Sequence, residues 1–402
     1  MSSLAALTDL IPRLIDLDAE NVASLYLPLR RAWNRDDLFQ RELRALLNEV
    51  TADAERYGAD ATVIQAMTES ATNVVQHPDA ISPHADGLAL ILHPGEVVVE
   101  SLPFAPALHA SIDRFVALRP VWPHVHPDRP FYVAALSAGG VALFIGSRYE
   151  ISRVNLGDDV ATTLEAFRKF DDPVRSLRYH TGTPARGTGG KGRRAAMYFG
   201  HEDAGDRAYK VEAMTQFLRY IDNEIRRVIE QDVPLRPLLL AGPDHLRGIY
   251  RSVNGYERLH DKEIDGSHRT GGDRVWDVAA LQKAAWQIIE EDLTQEREEA
   301  LDRYRQDVGR SAHSTAPVLR AAVSGRVDTL FVAANAAPVW GQIEDAGGVH
   351  TRAERASGDG DLLNAALIHT ARAGGTIYAF DDAVPVFDRT NNQPVMAARF
   401  RY

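Results

Sequence analysis

The chain has 402 residues, which is too long for a single hydrophobic core and suggests about two to four domains. Hydrophobic residues make up 45% of it and charged residues 25%, as is ordinary for globular proteins. The formal net charge of −11 argues against general coating of nucleic acid. Because the sequence contains no cysteine, disulfides, Cys–zinc sites, iron–sulfur clusters and cysteine nucleophiles are excluded.

Residues 1–20 carry an apolar run that Asp9, Arg13 and Asp16 interrupt. A secretory signal needs a basic segment followed by an uninterrupted apolar stretch, so we predict amphipathic helix here instead. No run of about 18 or more apolar residues occurs, which predicts no membrane partner. We therefore expect a cytoplasmic protein, and the absence of cysteine is compatible with that reducing compartment.

Residues 1–127 predict a first α/β domain. Apolar spacing and turn residues indicate a strand at 22–28, helices at 36–57 and 61–75, and a hairpin at 87–102. The prolines of residues 120–130 predict a linker. Its His124 and His126 are spaced like metal ligands, but no third ligand is near them, so we predict no metal site.

Residues 128–268 predict a second, mixed α/β domain, in which antiparallel hairpins are followed by helical crossovers. The clearest β signal in the chain lies at residues 131–156, where glycines separate apolar runs. Beyond it we predict a helix at 207–231, a buried strand at 237–243, a helix at 244–254 and a further strand at 256–264.

Residues 269–402 predict a third domain, a compact α-β-α sandwich. Its predicted helices lie at 275–308, 319–324 and 361–375, and its predicted strands at 329–335, 376–380 and 396–402. Asp361 is the expected N-cap of the last helix. The polar segment 352–361 predicts an exposed loop.

Residues 175–194, called the basic loop below, depart from the acidic character of the chain. The loop contains five glycines and no acidic residue. Its cations are Arg175, Arg178, Arg186, Lys191, Arg193 and Arg194, and His180 lies among them. Glycine permits close backbone approach, and clustered cations suit an extended polyanion such as RNA. A loop of this type is more often a plain surface segment, but the charge contrast with the chain favours RNA binding.

Known nucleotide and catalytic motifs do not fit this loop. Residues 187–192 match GxGxxG, but a dinucleotide site needs an apolar strand before the motif and a helix directly after it. A phosphate-binding P-loop would need glycine in place of Ala185 and serine or threonine in place of Gly192. We find no GxSxG or HExxH motif, and we predict no cofactor.

The segment GTGGKGRRAAMYFG, followed by a long helix, resembles the loop and helix of archaeal and eukaryotic peptide-chain release factors. Residues 131–156 resemble the opening hairpins of that family's ribonuclease-H-like middle domain. Residues 269–402 resemble its C-terminal α-β-α sandwich, which is related to kink-turn-binding ribosomal proteins. The chain is most similar to the bacterial archaeo-eukaryotic release factor family, whose relatives include Pelota and the hibernation factor Balon. The resemblance implies three domains, at 1–127, 128–268 and 269–402.

The family's loop carries Gly-Gly-Gln, and its glutamine helps to position a water molecule against the peptidyl ester. Gly189 and Gly190 carry over, but Lys191 stands in the place of the glutamine. Lysine has donors only, so it cannot offer an amide acceptor to water. The resemblance therefore implies insertion into an RNA cavity rather than hydrolysis, and we expect a protein that is not an enzyme.

We predict a ribosome-associated translation factor that binds the A site in hibernation or rescue, without stop-codon-dependent peptide release. The residues expected to contact ribosomal RNA in the peptidyl-transferase region are Arg175, Arg178, Arg186, Gly187, Gly189, Gly190, Lys191, Arg193 and Arg194. A translational GTPase is a further candidate partner. Two alternatives stay open: a peptidyl-tRNA hydrolase or tRNA nuclease that uses Lys191 or His180, and a non-ribosomal stress or interaction protein.

Overall fold

A computed structural model gives the fold of this mixed α/β protein. It describes residues 11–17, 21–29, 37–58, 61–75, 81–82, 85–94, 96–125, 129–175, 204–266, 269–270, 275–344, 348–387 and 393–402. Contacts group the chain into two compact units, unit 1 with residues 1–128 and 292–402, and unit 2 with residues 129–291. The division into three domains, with boundaries after residues 127 and 268, remains a prediction. Within the described ranges, no helix is long and apolar enough to cross a membrane.

The N-terminal part of unit 1 contains four antiparallel strands in the order β3-β2-β1-β4. Its elements are α1 (residues 11–16), β1 (Val22–Pro28), α2 (Asp37–Tyr57), α3 (Ala61–Val75), β2 (Gly87–His93), β3 (Glu96–Leu102), β4 (His109–Asp113) and α4 (Trp122–Val125). Alternating leucines such as Leu25 and Leu90 pack against Leu43 and Leu47 of α2 and Ile64 of α3. The predicted strand, helices and hairpin are confirmed.

Unit 2 contains a four-stranded sheet in the order β7-β6-β5-β8, in which β8 alone is parallel to its neighbour β5. Its strands are β5 (Phe131–Ser137), β6 (Gly140–Gly146), β7 (Ile151–Val154), β8 (Leu238–Ala241) and the separate pair β9 (Arg269–Thr270) and β10 (Val275–Trp276). Its helices are α5 (Leu164–Arg175), α6 (Ala204–Ile229), α7 (Asp244–Val253) and α8 (Val278–Gln306), which continues into unit 1.

The strand expected at residues 256–264 is wrong. The segment forms only isolated bridges, between Leu259 and Leu238 and between Ile264 and Ala241. Its main chain bonds to β8 only at these two places, where the His260 amide donates to the Leu238 carbonyl and the Ile264 amide to the Leu240 carbonyl, each at 2.8 Å. Arg251 of α7 also binds the segment, since it donates to Glu263 at 2.8 Å and to the His260 carbonyl at 3.0 Å.

The C-terminal part of unit 1 holds a sheet in the order β11-β17-β12-β16, in which only β12 and β16 are parallel to each other. The elements of this C-terminal part are β11 (Ser311–Ala312), α9 (Thr315–Val323), β12 (Val327–Ala333), β13 (Trp340–Ile343), β14 (Val349–Arg352), β15 (Gly360–Asp361), α10 (Leu362–Arg372), β16 (Thr376–Phe380) and β17 (Met396–Phe400). Phe331 of β12 packs on Leu301 and Tyr304 of α8. Asp361 caps α10 by accepting from the Leu363 amide, as predicted.

A buried polar joint ties residues 1–128 to residues 292–402 within unit 1. The Asn364 side chain accepts from the amides of Leu118 and Arg119 at 3.0 and 3.1 Å, and donates to the Val116 carbonyl at 2.9 Å. The Arg119 guanidinium pairs with Asp361 at 2.9 Å. Buried polar groups are costly unless they are hydrogen-bonded, so this complementary set fixes how the two segments pack.

The first part of the segment at residues 120–130 is packed into unit 1. Val121 and Trp122 are both 3% exposed, and α4 begins at Trp122. The two compact units divide after residue 128, inside this segment, so a linker in its second part stays a prediction. Proline content did not indicate the burial of Val121 and Trp122, because burial of apolar side chains outweighs the disruption of regular structure.

The segment at residues 352–361 is not simply an exposed loop. The Arg355 side chain is 8% exposed and the Asp359 side chain is fully buried. Asp359 pairs with Arg352 and accepts from the Ala356 amide, so the polar residues bind one another rather than water. Polarity predicted exposure here, but hydrogen bonds and ion pairs offset much of the cost of burying Asp359 and Arg355.

Removing the side-chain amide of Asn364 should destabilise the protein strongly. Asn364→Ala removes three buried hydrogen bonds and leaves the Arg119 amide without its acceptor, although the Leu118 amide still donates to the Val116 carbonyl at 2.9 Å. An unsatisfied buried group costs about 1–3 kcal/mol, so we expect the free energy of unfolding to fall by roughly 2–3 kcal/mol. Chemical denaturation followed by circular dichroism measures it.

Thr351→Ala, at an exposed position of β14, is the control and should change that free energy by less than about 0.5 kcal/mol. Equal stability of the two variants would contradict a role for the joint.

Candidate functional site

The basic loop lies outside the residues that the structure describes, except at its first residue. Arg175 is the last residue of α5, and only its backbone is described. The other predicted site residues fall in the range 176–203, between α5 and α6: Arg178, His180, Arg186, Gly187, Gly189, Gly190, Lys191, Arg193 and Arg194. Their role in RNA binding therefore stays a prediction.

The two helices that flank the basic loop pack on the same core of unit 2. Phe167 of α5 lies 5.8 Å from Phe217 and 5.2 Å from Tyr220 of α6, between ring centroids. The Tyr220 hydroxyl accepts from the Ala161 amide at 3.2 Å, just before α5 begins. Thr163 accepts from the Ala166 amide at 3.1 Å and so caps the first turn of α5. The segment between α5 and α6 therefore begins and ends at two helices that pack against each other.

The second half of α6 packs firmly into the core of unit 2. Its buried residues recur at helical spacing at Phe217, Leu218, Ile221, Ile225 and Ile229. Asp222 on the same helix is 1% exposed, and its Oδ2 accepts from Arg226 at 3.1 Å and from the Gly255 amide at 3.0 Å. These contacts fasten α6 to the segment that follows α7.

Unit 1 contains a cleft of about 1350 Å³. Its acidic lining residues are Asp53, Asp113, Glu344, Asp359 and Asp361. A concave site with carboxylates could bind a cationic ligand, so the partners of these groups decide what the cleft can do.

Most of the cleft carboxylates are already bound by cations of the same unit. Asp361 pairs with Arg119 at 2.9 Å, and Glu344 lies 2.8 Å from His350. Arg352 binds Asp359, and Arg355 lies 3.7 Å from Asp53. These pairs hold the walls of the cleft together, so they point to a structural seam rather than to a cation site.

Arg355 shows most clearly how this seam is built. Its guanidinium carbon lies 4.3 Å from the ring centroid of Tyr57 and 4.7 Å from that of Trp340. The same side chain donates to the Ile112 carbonyl at 2.5 Å. Arg355 therefore joins α2, β4 and β13, and stacking on two rings adds a cation–π attraction to its ion pair.

Asp113 differs from the other cleft carboxylates because its direct partners are main-chain amides. It accepts from the amides of Asp361 at 2.7 Å and Arg114 at 2.6 Å. Burial raises the pKa of Asp113 to about 6, and these hydrogen bonds offset only part of that effect. Burial also lowers the pKa of the nearby His109 to about 4, so the imidazole is neutral at pH 7 and adds no positive charge.

Sequence reasoning identified Asp361 only as the expected N-cap of α10, and it did not single out Asp113. The two residues are 248 positions apart in the chain, and no local motif connects them. His124 stacks on Phe104 with their ring centroids 4.4 Å apart, and His126 lies outside the described residues. Among the described residues, no group of three or more His, Asp or Glu could hold a metal ion.

The raised pKa of Asp113 predicts a specific pH dependence of stability. The folded chain holds this proton more tightly than the unfolded chain, whose pKa is near 3.8. The stabilising contribution of Asp113 is therefore fully present below pH 3.8 and is lost as the pH rises through about 6. The loss amounts to about 3 kcal/mol.

Asp113→Asn removes the titrating group, so the stability of the wild type relative to this variant should fall by roughly 2.4 kcal/mol from pH 4 to pH 7. Denaturant unfolding at several pH values measures it, and other titrating groups cancel in the difference. Parallel pH profiles for the two proteins would show that Asp113 titrates normally.

Comparison with solved structures gives low similarity. Archaeal translation termination factor aRF1 is 11% identical, with 100% of this chain and 99% of that chain covered and a TM-score of 0.24. Archaeoglobus fulgidus Pelota is 12% identical, with 78% and 79% covered and a TM-score of 0.29. S. cerevisiae Dom34, a termination-like factor that interacts with Hbs1, is 8% identical, with 79% and 73% covered and a TM-score of 0.35. We draw no conclusion from scores this low. No curated protein matches the sequence.

Comparison with family models gives a definite match. Residues 131–291 match the model described as bacterial archaeo-eukaryotic release factor family 7. The matched range coincides closely with unit 2, which spans residues 129–291, and it includes the basic loop with both flanking helices. The family resemblance found in the sequence is confirmed over residues 131–291, the range that matches the model of bacterial archaeo-eukaryotic release factor family 7.

Proposed function

We propose that this protein is a ribosome-associated translation factor of the release-factor and Pelota superfamily. It acts in the cytoplasm and binds the ribosomal A site in hibernation or rescue, without stop-codon-dependent peptide release. One observation supports this above all: the range that matches the release-factor family is the unit that carries the basic loop between α5 and α6.

The chemistry of the basic loop supports RNA as its partner. Its arginines and its lysine offer donors and positive charge to phosphates, and its glycines allow close approach of the main chain. The loop contacts the peptidyl-transferase region of ribosomal RNA through Arg186, Lys191, Arg193 and Arg194, with Arg175 and Arg178 nearer to α5. The packing of α5 on α6 supplies a firm base for such an extension.

Lys191 is the reason for proposing binding without peptide release. The residue occupies the place of the family's glutamine, and its ammonium group cannot accept a hydrogen bond from a water molecule. A translational GTPase that delivers the factor to the ribosome is part of the proposal. Hydrolysis of peptidyl-tRNA by Lys191 or His180 is the competing function, and the test below separates the two.

Binding to bacterial ribosomes should depend on salt and on the basic loop. We expect the full-length protein to co-sediment with ribosomes at low salt, and the log–log salt slope to fall by about 0.7 to 0.9 for each phosphate contact removed. Lys191→Ala combined with Arg193→Ala and Arg194→Ala should weaken binding.

The matched control changes Arg41, Arg44 and Arg56 to alanine, which removes the same charge from exposed positions of α2. Equal binding by both triple variants, or no binding by the wild type at low salt, would refute the proposed function. If the wild type releases peptide from peptidyl-tRNA and the single substitution Lys191→Ala abolishes this release, the hydrolase is favoured instead.

A further inference from the structure

One end of the C-terminal sheet of unit 1 collects positive charge. At this end β12 and β16 begin and β17 ends, because β12 and β16 are parallel and β17 is antiparallel to β12. Helices α9 and α10 also end here, since each leads directly into one of these strands. We call this region the basic end and define it by Arg320, Arg326, Phe400, Arg401 and Tyr402. The three arginines and Tyr402 are exposed.

The arginines of the basic end bind main-chain oxygens rather than carboxylate side chains. Arg401 donates to the Ala373 carbonyl at 2.7 Å and to the Gly325 carbonyl at 3.3 Å, where α10 and α9 end. Arg326 donates to the main-chain oxygen of Tyr402 at 2.8 Å. Cations are favourable at helix C-termini, so these bonds orient the guanidinium groups.

The positive charge of this end is not cancelled by neighbouring acidic side chains. Two carboxylates near this part of the sheet, Asp307 after α8 and Asp328 on β12, are both bound by Arg399. Within the part of the chain that the structure describes, no Asp or Glu side chain forms an ion pair with Arg320, Arg326 or Arg401. An arginine cluster of this kind can therefore attract an anionic partner.

Aromatic rings alternate with these arginines. The guanidinium carbon of Arg326 lies 5.2 Å from the ring centroid of Tyr402 and 5.9 Å from that of Phe400. Tyr402 is 70% exposed, so part of its ring can still stack on another flat group. Exposed aromatic rings next to cations are typical of surfaces that bind single-stranded nucleic acid.

The opposite end of the same sheet has the opposite character. Asp381 and Asp382 follow β16 there and are both exposed. The arginines are therefore not scattered evenly over this part of unit 1. In a chain of net charge −11, the basic end is therefore a local feature. Opposite charges at the two ends of the sheet would orient a bound polyanion toward the basic end.

We propose that the basic end binds single-stranded RNA. Phosphates of the RNA lie against Arg320, Arg326 and Arg401, and one base stacks on the ring of Tyr402. The site is separate from the basic loop, which belongs to unit 2, and it does not require the loop to bind RNA. An acidic protein surface fits the aromatic ring less well, because it offers charge without a flat group to stack.

A direct test uses the full-length chain in the Lys191→Ala, Arg193→Ala, Arg194→Ala background, so that the basic loop adds little. The probe is a fluorescent single-stranded oligouridylate of about 12 nucleotides, within the range that single-strand sites cover, and binding is followed by anisotropy across a salt series. Arg326→Gln with Arg401→Gln keeps a donor for the main-chain oxygens. We expect it to lower the log–log salt slope by about 1.4, or about 0.7 for each phosphate contact.

Tyr402→Ala should lower the affinity by about tenfold, through the loss of one stacked base, while leaving the salt slope nearly unchanged. Arg320→Glu is the second charge variant, since its side chain makes none of the bonds that hold the helix ends. Arg44→Gln with Arg56→Gln, on exposed positions of α2, is the matched control for charge. Thermal melting confirms that each variant is folded.

Affinity that is the same in the basic-end variants and in the control would overturn the proposal, as would failure of the loop-variant background to bind the probe at low salt. Equal competition by polyglutamate would also overturn it, because it would show charge attraction without stacking. These results are distinguishable from failure of the ribosomal function, which is measured on the intact loop with ribosomes.

Discussion

The packing of unit 1 depends on a buried arginine that needs all of its partners. The Arg119 side chain is 6% exposed, and its Nη1 donates to the carbonyls of Ala333, Ala334 and Ala336 at 2.7 to 3.1 Å. Its remaining nitrogens bind Asp361, which also caps α10. A buried charge left unpaired costs several kcal/mol, so the chain before residue 128 and the chain after residue 292 fold as one body.

The same principle explains why the cleft of unit 1 is a seam. Its carboxylates accept hydrogen bonds from arginines and main-chain amides that line the same cleft. Gly360 allows the main chain to lie close to Asp113, because a Cβ atom at position 360 would be only 2.5 Å from an oxygen of Asp113. Partial burial in this close fit raises the pKa of Asp113. A cleft lined by charge can thus be structural when each charge already has its partner.

Function in this protein is better sought where positive charge is concentrated. The basic loop is one such place in the sequence, and the basic end of unit 1 is another, on the described surface. The two differ in construction. The loop concentrates cations and glycines in one continuous segment, whereas the basic end assembles Arg320 of α9, Arg326 just before β12 and Arg401 just after β17. A protein with net charge −11 can contact RNA locally at such sites without binding it everywhere.

The sequence by itself determined the order of most helices and strands, the capping of α10 by Asp361 and the family of the middle segment. These follow from local patterns: apolar periodicity, N-cap residues, glycine stops and a continuous loop motif. Only the tertiary structure decided that Trp122 is buried, that residues 256–264 form no full strand and that Arg355 lies between two rings. Each of these depends on partners distant in the chain, and a polar or proline-rich segment reads as exposed until the groups that bury it are known.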